Sequence, residues 1–151
     1  MQKVAKRSLV LIAILIIVGI GAAAQLMQTK RNQGGSFGKS NIIRLYSPQP
    51  GQNIMSPLSI RGEARGNWFF EASFPAVLVN WDGLIIAQGI ATAQSDWMTT
   101  EFVPFEATLV FTVDKKAFSN RGALILKKDN PSGLPQYDDA LEIPVRFAEI
   151  D

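Results

Sequence analysis

An uncharged, strongly apolar run near the amino terminus is the clearest pattern in the chain. Residues 8–29 carry no charged side chain, and residues 9–18 are all aliphatic. Because a helix rises about 1.5 Å per residue, a run of this length spans roughly the 30 Å hydrocarbon core of a bilayer. The run therefore predicts one N-terminal transmembrane or signal helix ahead of the rest of the chain.

The charges around this run predict its orientation. Three basic residues precede it, so by the positive-inside rule residues 1–7 form a cytoplasmic segment and the chain after the run lies outside the cytoplasm. Residues 8–29 are then a transmembrane anchor or an uncleaved signal in a single-pass protein of the cell membrane. The alternative is a protein secreted after cleavage near Ala24, where small residues resemble a signal-peptidase site. The uncharged sequence that continues to Thr29 favours the anchor.

A different pattern follows a short polar linker. Residues 30–41 are rich in Gly, Ser, Asn and Gln, which predicts a flexible tether. In residues 42–151, apolar and polar positions alternate over short runs bounded by turn residues, and no helical period is sustained. The pattern predicts strands at residues 42–46, 58–64, 76–81, 84–89, 97–102, 105–113, 123–128 and 141–147.

These short strands indicate the fold class. The dipeptide Asp82-Gly83 between two apolar runs predicts a hairpin with a two-residue turn. About seven strands in the 110 residues from 42 to 151, separated by turns, predict an all-β domain, an immunoglobulin-like antiparallel β-sandwich. The chain has no cysteine, so apolar packing must replace the intersheet disulfide found in antibody domains.

Charge and missing residue types exclude most chemistry. Residues 1–41 hold six basic and no acidic residues, whereas residues 42–151 hold nine basic and thirteen acidic ones. The folded part is therefore mildly acidic, which argues against nucleic-acid binding. Without cysteine or histidine, the common nucleophile–base pairs and the usual zinc sites are excluded. The sequence predicts a protein that is not an enzyme and needs no cofactor and no metal.

Carboxylates leave two weaker alternatives. Asp96 and Glu101 flank a short segment and could act as a glycosidase pair. Asp129 and Asn130 could offer calcium oxygens, but the residues after them do not alternate oxygen donors as a calcium loop does. Acidic residues at strand ends are ordinarily solvated, so we predict no catalytic and no metal-ligating residue.

The densest aromatic segment, residues 64–75, supplies the candidate binding residues. One interpretation is a binding platform in which Trp68 stacks on a ligand while Arg65 and Glu71 act as polar handles. The other is that Trp68, Phe70 and Phe74 fill the core while Arg65 and Glu71 pair across a loop or cap turn groups. The role of aromatics in small cores favours this second interpretation. The indoles of Trp81 and Trp97 could also bind a sugar.

Residues 68–75 read Trp-Phe-Phe-Glu-Ala-Ser-Phe-Pro, and further motifs lie before and after them in a fixed order. These motifs lie at residues 47–52, 56–58, 62–66, 96–97 with Phe105, 128–133 and 143–145. Together the segments resemble the bacterial spore-germination immunoglobulin-like domain, which is often found beside GerM-type domains. The resemblance runs from about residue 42 to residue 147 and implies an extracytoplasmic module with a structural or interaction role and no catalytic residues. The chain shows neither a GerM-type domain nor a lipid-attachment cysteine, so the resemblance does not by itself imply a role in germination.

The leading hypothesis is a non-catalytic, membrane-anchored immunoglobulin-like module that binds another protein of the bacterial cell envelope. Exposed strand edges or the loop at residues 65–68 would make the contact. The alternative is a carbohydrate-binding module that attaches to peptidoglycan or another glycan through Trp68, Trp81 or Trp97. Exposure of the indoles distinguishes the two hypotheses, because sugar stacking needs an indole face in solvent whereas a scaffold role predicts buried indoles.

Overall fold

Alternating apolar and polar side chains produce eight β-strands in residues 37–148, the part of the protein that the computed structural model describes. The strands are β1 (Ile43–Ser47), β2 (Asn53–Ile54), β3 (Leu58–Arg65), β4 (Ser73–Asn80), β5 (Ile85–Ala93), β6 (Phe102–Leu109), β7 (Arg121–Lys127) and β8 (Ala140–Phe147). Three 3-10 turns lie at Phe37–Lys39, Gly66–Trp68 and Pro135–Tyr137, and the described range contains no α-helix. The all-β prediction is confirmed.

The predicted cytoplasmic segment, the predicted anchor and most of the linker lie outside the described residues. Within residues 37–148, no helix has the length and apolarity needed to cross a membrane. The anchor at residues 8–29 therefore stays a prediction.

The strands form one curled sheet in the order β1-β3-β6-β5-β4-β7-β8-β2. The link between β5 and β6 consists of only two residue pairs, Thr92 with Glu106 and Ala93 with Phe105. Beyond these pairs no further residue pair joins the two strands, although β6 stays close to β5, since a Cβ added to Gly89 would stand 2.6 Å from Cδ2 of Leu109. The sheet thus consists of two halves joined by a narrow seam, rather than the two separate sheets that the sandwich prediction implies.

One apolar core lies between the two halves. Phe74 on β4 and Phe105 on β6 stand edge to face with ring centroids 4.9 Å apart, although β5 separates these strands in the sheet order. Phe111 and Phe147 make a second contact of this kind at 5.6 Å. The buried side chains form a single cluster with members from every strand, so burial of apolar area on both halves stabilises the curl.

The strand predictions fail at three places, one of which is residues 110–113, where β6 has already ended at Leu109. Residues 97–101 form a loop, because the Asp96 carboxylate accepts a hydrogen bond from the Met98 N–H and the Thr99 hydroxyl accepts one from the Glu101 N–H. β6 accordingly begins at Phe102. The two-residue strand β2 was not predicted, and it pairs parallel to β8, so the sheet is not wholly antiparallel.

The predicted hairpin is present, but its turn is longer than the sequence suggested. Asn80 and Leu84 bracket three loop residues, since the Asn80 N–H donates to the Leu84 carbonyl at 2.9 Å. Only Gly83 adopts a positive φ, of 79°, whereas a two-residue turn of the predicted type needs two such residues. The Asn80 side-chain oxygen also accepts from the N–H groups of Asp82 and Leu84, which stabilises the longer loop.

Strand directions divide the loops between two ends of the domain. We call the end where β1 begins the linker end; it carries the loops at residues 66–72, 94–101 and 128–139. The opposite end, called the far end, carries the loops at residues 55–57, 81–84 and 110–120. The register supports this division, because Ile54 pairs with Phe147 and Asn80 pairs with Gly122 at the far end.

We predict that Gly62→Ala destabilises the domain, because the packing of β1, β3 and β6 around Gly62 leaves no room for a Cβ. A Cβ on Gly62 would lie 2.3 Å from the Arg44 carbonyl oxygen and 2.6 Å from Cζ of Phe105. We expect a loss of about 1–3 kcal/mol in the free energy of unfolding, measured by urea denaturation of the full chain in detergent. Gly38→Ala is the control, since nothing lies within 4 Å of its added Cβ. Equal stability of the two variants would contradict this packing.

Candidate functional site

Trp68 is part of the core and offers no binding face. It lies in the 3-10 turn Gly66–Trp68, and its side chain is 0% exposed. Its indole N–H finds no hydrogen-bond partner among residues 37–148, while its carbonyl accepts from the Asp129 N–H at 3.1 Å. A sugar cannot stack on a buried ring, so the platform interpretation is wrong for Trp68.

The neighbouring aromatic residues follow the core interpretation, except that Phe69 takes the buried position expected for Phe70. Phe74 is fully buried, as predicted, but Phe70 is 40% exposed and Phe69 is buried in its place. Phe69 meets Phe74 edge to face at 5.2 Å. The exchange arises because Phe70 pairs with Ser73 across a tight turn, which directs its side chain away from the core.

Arg65 holds three segments of the linker end together. Its guanidinium lies 4.0 Å from the centroid of the Phe102 ring and donates to the carbonyls of Asn41 and Thr100 at 3.2 and 3.0 Å. Its ion-pair partner is Glu101, at 3.6 Å, rather than Glu71. Arg65 therefore does not pair with Glu71, but it caps backbone carbonyl groups, which is the other role expected for it, and it already has structural partners for its charge.

Glu71 occupies a strained turn at the linker end. Glu71 and Ala72 both have positive φ, 48° and 62°, and hydrogen bonds of 3.0 Å join Phe70 and Ser73 in both directions around them. Two such residues in a turn are ordinarily Gly, Asn or Asp. The turn holds the exposed Glu71 side chain at a fixed place on the surface.

The three candidate indoles lie in different surroundings and do not form one platform. Trp97 is half-buried and packs against the core at the linker end. Trp81 is 46% exposed at the far end, where its ring centroid lies 5.6 Å from that of the exposed Phe118. A cleft of about 680 Å³ beside these two rings also includes Arg121 and Glu142. The carbohydrate alternative therefore depends on Trp81, with Phe118 as a partner that the sequence did not single out.

Two of the side chains considered for catalysis or metal binding, those of Asp96 and Asn130, form hydrogen bonds within their own loops. The Asn130 amide donates to the Leu134 carbonyl at 2.9 Å and to the Asp138 carboxylate at 2.8 Å, and the Ser132 hydroxyl donates to the Asn130 oxygen. Asp96 binds the Met98 N–H. Within residues 37–148, no three acidic side chains gather as metal ligands would.

The edge strand β1 has features that hinder pairing with another chain. Arg44 forms an ion pair of 2.7 Å with Glu63, and the register shifts between Leu45 and Ser47. The pKa of the Tyr46 phenol is raised above its usual value. The main cause is partial desolvation, and the hydrogen bond with Glu63 and the negative charge of Glu63 add to it. Charged side chains and irregular register are the means by which natural sheets protect an edge.

β5 has an edge without charged side chains, although its register with β4 shifts at Ile86. It pairs with β4 from Ile85 to Thr92, but with β6 only at its last two residues. The sequence of residues 85–91 contains no charged residue and no proline, and Ile85 and Ile90 are exposed. We call residues 85–91 the open β5 edge. In the described part of the chain, it is the longest uncharged strand segment that pairs with a neighbouring strand on one side only.

Comparison with known proteins identifies the family. A family model for the immunoglobulin-like domain of bacterial spore germination matches residues 42–133, more than half of the chain, and the protein belongs to this family. The resemblance seen in the sequence is thereby confirmed. No curated protein and no solved structure matches the chain. The matched range ends before β8, although β8 forms seven residue pairs with β7, so the folded domain extends beyond it.

We predict that Arg65→Ala loosens the linker end and lowers the free energy of unfolding by about 1–3 kcal/mol. The variant loses two charge-assisted hydrogen bonds and the contact with Phe102. Arg61→Ala is the matched control, because Arg61 makes only an exposed ion pair with Glu106 and should cost less than about 0.5 kcal/mol. Urea denaturation measures both, and an equal loss would contradict a structural role for Arg65.

We predict that Ala72→Gly stabilises the domain by about 0.5–1 kcal/mol. A residue with a Cβ in the left-handed conformation costs about 1–2 kcal/mol, and Ala72→Gly removes this strain. The strain removed exceeds the cost of about 0.5–1 kcal/mol that arises because glycine loses more conformational entropy on folding. Ala107→Gly in β6 is the control and should destabilise, because Ala107 has regular strand geometry. A loss of stability in Ala72→Gly, measured by the same denaturation, would contradict the strained turn.

Proposed function

We propose that this protein is a non-catalytic module, held at the outer face of the cell membrane by its N-terminal run, that binds another protein of the bacterial cell envelope. Its membership of the immunoglobulin-like spore-germination family supports a non-catalytic role. The uncharged run at residues 8–29, with basic residues before it, supports the anchor and the extracytoplasmic location.

The open β5 edge is the observation that carries the partner role. Within residues 37–148, the backbone groups of this edge that face away from β4 pair with no strand on that side, and residues 85–91 lack the charge and the proline with which natural proteins often block such an edge. Binding an extended segment of a partner would satisfy these groups. The mode of binding is strand addition, in which backbone hydrogen bonds give affinity and alternate side chains give specificity.

The side chains along this edge suit such a partner. Ile90 is 58% exposed, and Ile85 at the start of β5 is also exposed, so an added strand would bury apolar area at both positions. Gln88 between them is exposed and polar, which offers a hydrogen-bonding side chain at the centre of the contact. The loop at residues 65–68, the other contact considered from the sequence, is less suited, because Trp68 is buried and Arg65 is engaged within the domain.

We predict that Ile90→Lys abolishes the partner contact without unfolding the domain. A lysine on an exposed edge position opposes strand addition, because the charge would have to be buried against the partner. The measurement is co-purification of the tagged full chain, extracted with detergent, together with its envelope neighbours. Proteins recovered with the wild type should be lost with Ile90→Lys.

Tyr46→Lys is the matched control for this experiment. Tyr46 is exposed to the same degree as Ile90, at 56%, but lies on the protected edge strand β1. Its lysine variant should retain the wild-type set of proteins. Retention of that set by Ile90→Lys, or equal loss from both variants, would contradict binding at the open β5 edge.

A further inference from the structure

The cleft beside Trp81 and Phe118 combines apolar, aromatic and charged side chains at the far end of the domain. We call it the far-end cleft, and its volume of about 680 Å³ lies in the range of small-molecule sites, which is about 300–1,000 Å³. Its lining comes from the end of β4 with the hairpin loop, from the start of β7 with the loop before it, and from β8. Strand pairing therefore assembles it from distant parts of the sequence.

The floor of the far-end cleft is the outer surface of the sheet. Val79 on β4 pairs with Ala123 on β7, whereas their neighbours Leu78 and Leu124 belong to the core. Side chains alternate between the two faces of a strand, so Val79 and Ala123 lie on the face opposite the core. Ala123 is only 9% exposed although it is not a member of the core cluster. Side chains on the outer surface therefore cover it.

Two aromatic rings form one wall of the cleft. The rings of Trp81 and Phe118 are inclined by 51°, so Phe118 does not stack flat on the indole. Nearly half of Trp81 and most of Phe118 remain exposed. Aromatic surface of this kind, in solvent beside a cleft, can pack against the C–H groups of a ligand.

One cationic and one anionic side chain complete the lining. Arg121 and Glu142 are exposed, and among residues 37–148 neither of them takes part in an ion pair. A guanidinium only donates hydrogen bonds, whereas a carboxylate only accepts them. The charges of the lining cancel, so a matching ligand is uncharged and carries both hydrogen-bond donors and acceptors.

We infer that the far-end cleft binds an uncharged saccharide. A pyranose ring with equatorial substituents presents a flat face of C–H groups, which can stack on the Trp81 indole. Each hydroxyl group of the sugar both donates and accepts hydrogen bonds, so one ligand can accept from Arg121 and donate to Glu142. The aromatic wall and the two charged groups then contact the same molecule.

A proline-rich segment is the main competing ligand, because such segments bind aromatic-lined grooves. Proline has no N–H group, so the segment would offer acceptors to Arg121 but few donors to Glu142. The carboxylate thus favours the saccharide. This inference does not rest on the anchor or on the open β5 edge, since no residue of the cleft lies in residues 8–29 or 85–91.

Trp81 reports directly on ligand binding, because it is the one indole of the far-end cleft. The full chain, in a detergent without a sugar headgroup, is titrated with cellotetraose and with the β-1,4-linked tetrasaccharide of N-acetylglucosamine. We expect a saturable change in tryptophan fluorescence with at least one of them, and Trp81→Phe should remove this change. Sorbitol carries hydroxyl groups but no ring, so at the same hydroxyl concentration it should change nothing.

Two pairs of variants, titrated by calorimetry, separate stacking from hydrogen bonding. Trp81→Ala should weaken binding at least about tenfold, whereas Tyr137→Ala should not, since Tyr137 is exposed to a similar degree, at 53%, but lies at the linker end. Glu142→Ala should also weaken binding about tenfold. Its control is Glu106→Ala on β6, which is exposed and outside the cleft. All four side chains are exposed, so the variants keep the fold.

Three outcomes would overturn the inference. They are no saturable response to either tetrasaccharide, equal affinity within either pair of variants, and a Trp81 response to a decamer of proline but to neither saccharide, which would assign the cleft to a proline-rich segment. Ile90→Lys should leave the titration unchanged. A failure of the partner contact at the open β5 edge is thereby distinguished from a failure of saccharide binding.

Discussion

The contact between Phe74 and Phe105 joins the two halves of the sheet, and the rest of the architecture depends on it. These rings are buried and meet edge to face at 4.9 Å, from strands that are not neighbours in the sheet. Hydrogen bonding contributes only two residue pairs at the seam between β5 and β6, so apolar packing determines the curl. Gly62 permits the arrangement, because the Phe105 ring occupies the space where a Cβ would stand.

The narrow seam has a functional consequence. If β5 and β6 paired along their full length, β5 would be covered on both sides. Because residue pairing with β6 stops after two pairs, the earlier residues of β5 have no paired strand on that side within residues 37–148, and these residues carry neither charge nor proline. The proposed partner contact and the packing of the core are thus two results of the same geometry.

Much of the fold could be predicted from alternation of apolar and polar residues, because burial decides which face of a strand points inward. The failures occur where local side chains compete with that pattern, as Asp96 and Thr99 do in the loop before β6. The seam could not be predicted, because it depends on how far two distant segments diverge. Among the candidate residues, Trp68 and Phe74 followed the core prediction, whereas the exposure of Trp81 beside Phe118 depends on a contact between residues 37 positions apart, which no local pattern signals.

Amide hydrogen exchange along β5 tests the open edge most directly. In the full chain, the N–H groups of residues 85–88 that are not bonded to β4 should exchange orders of magnitude faster than those of Leu78 and Leu124 in the middle of the sheet. Uniform protection along β5, equal to that of β4 and β7, would mean that the edge is covered and would contradict the account.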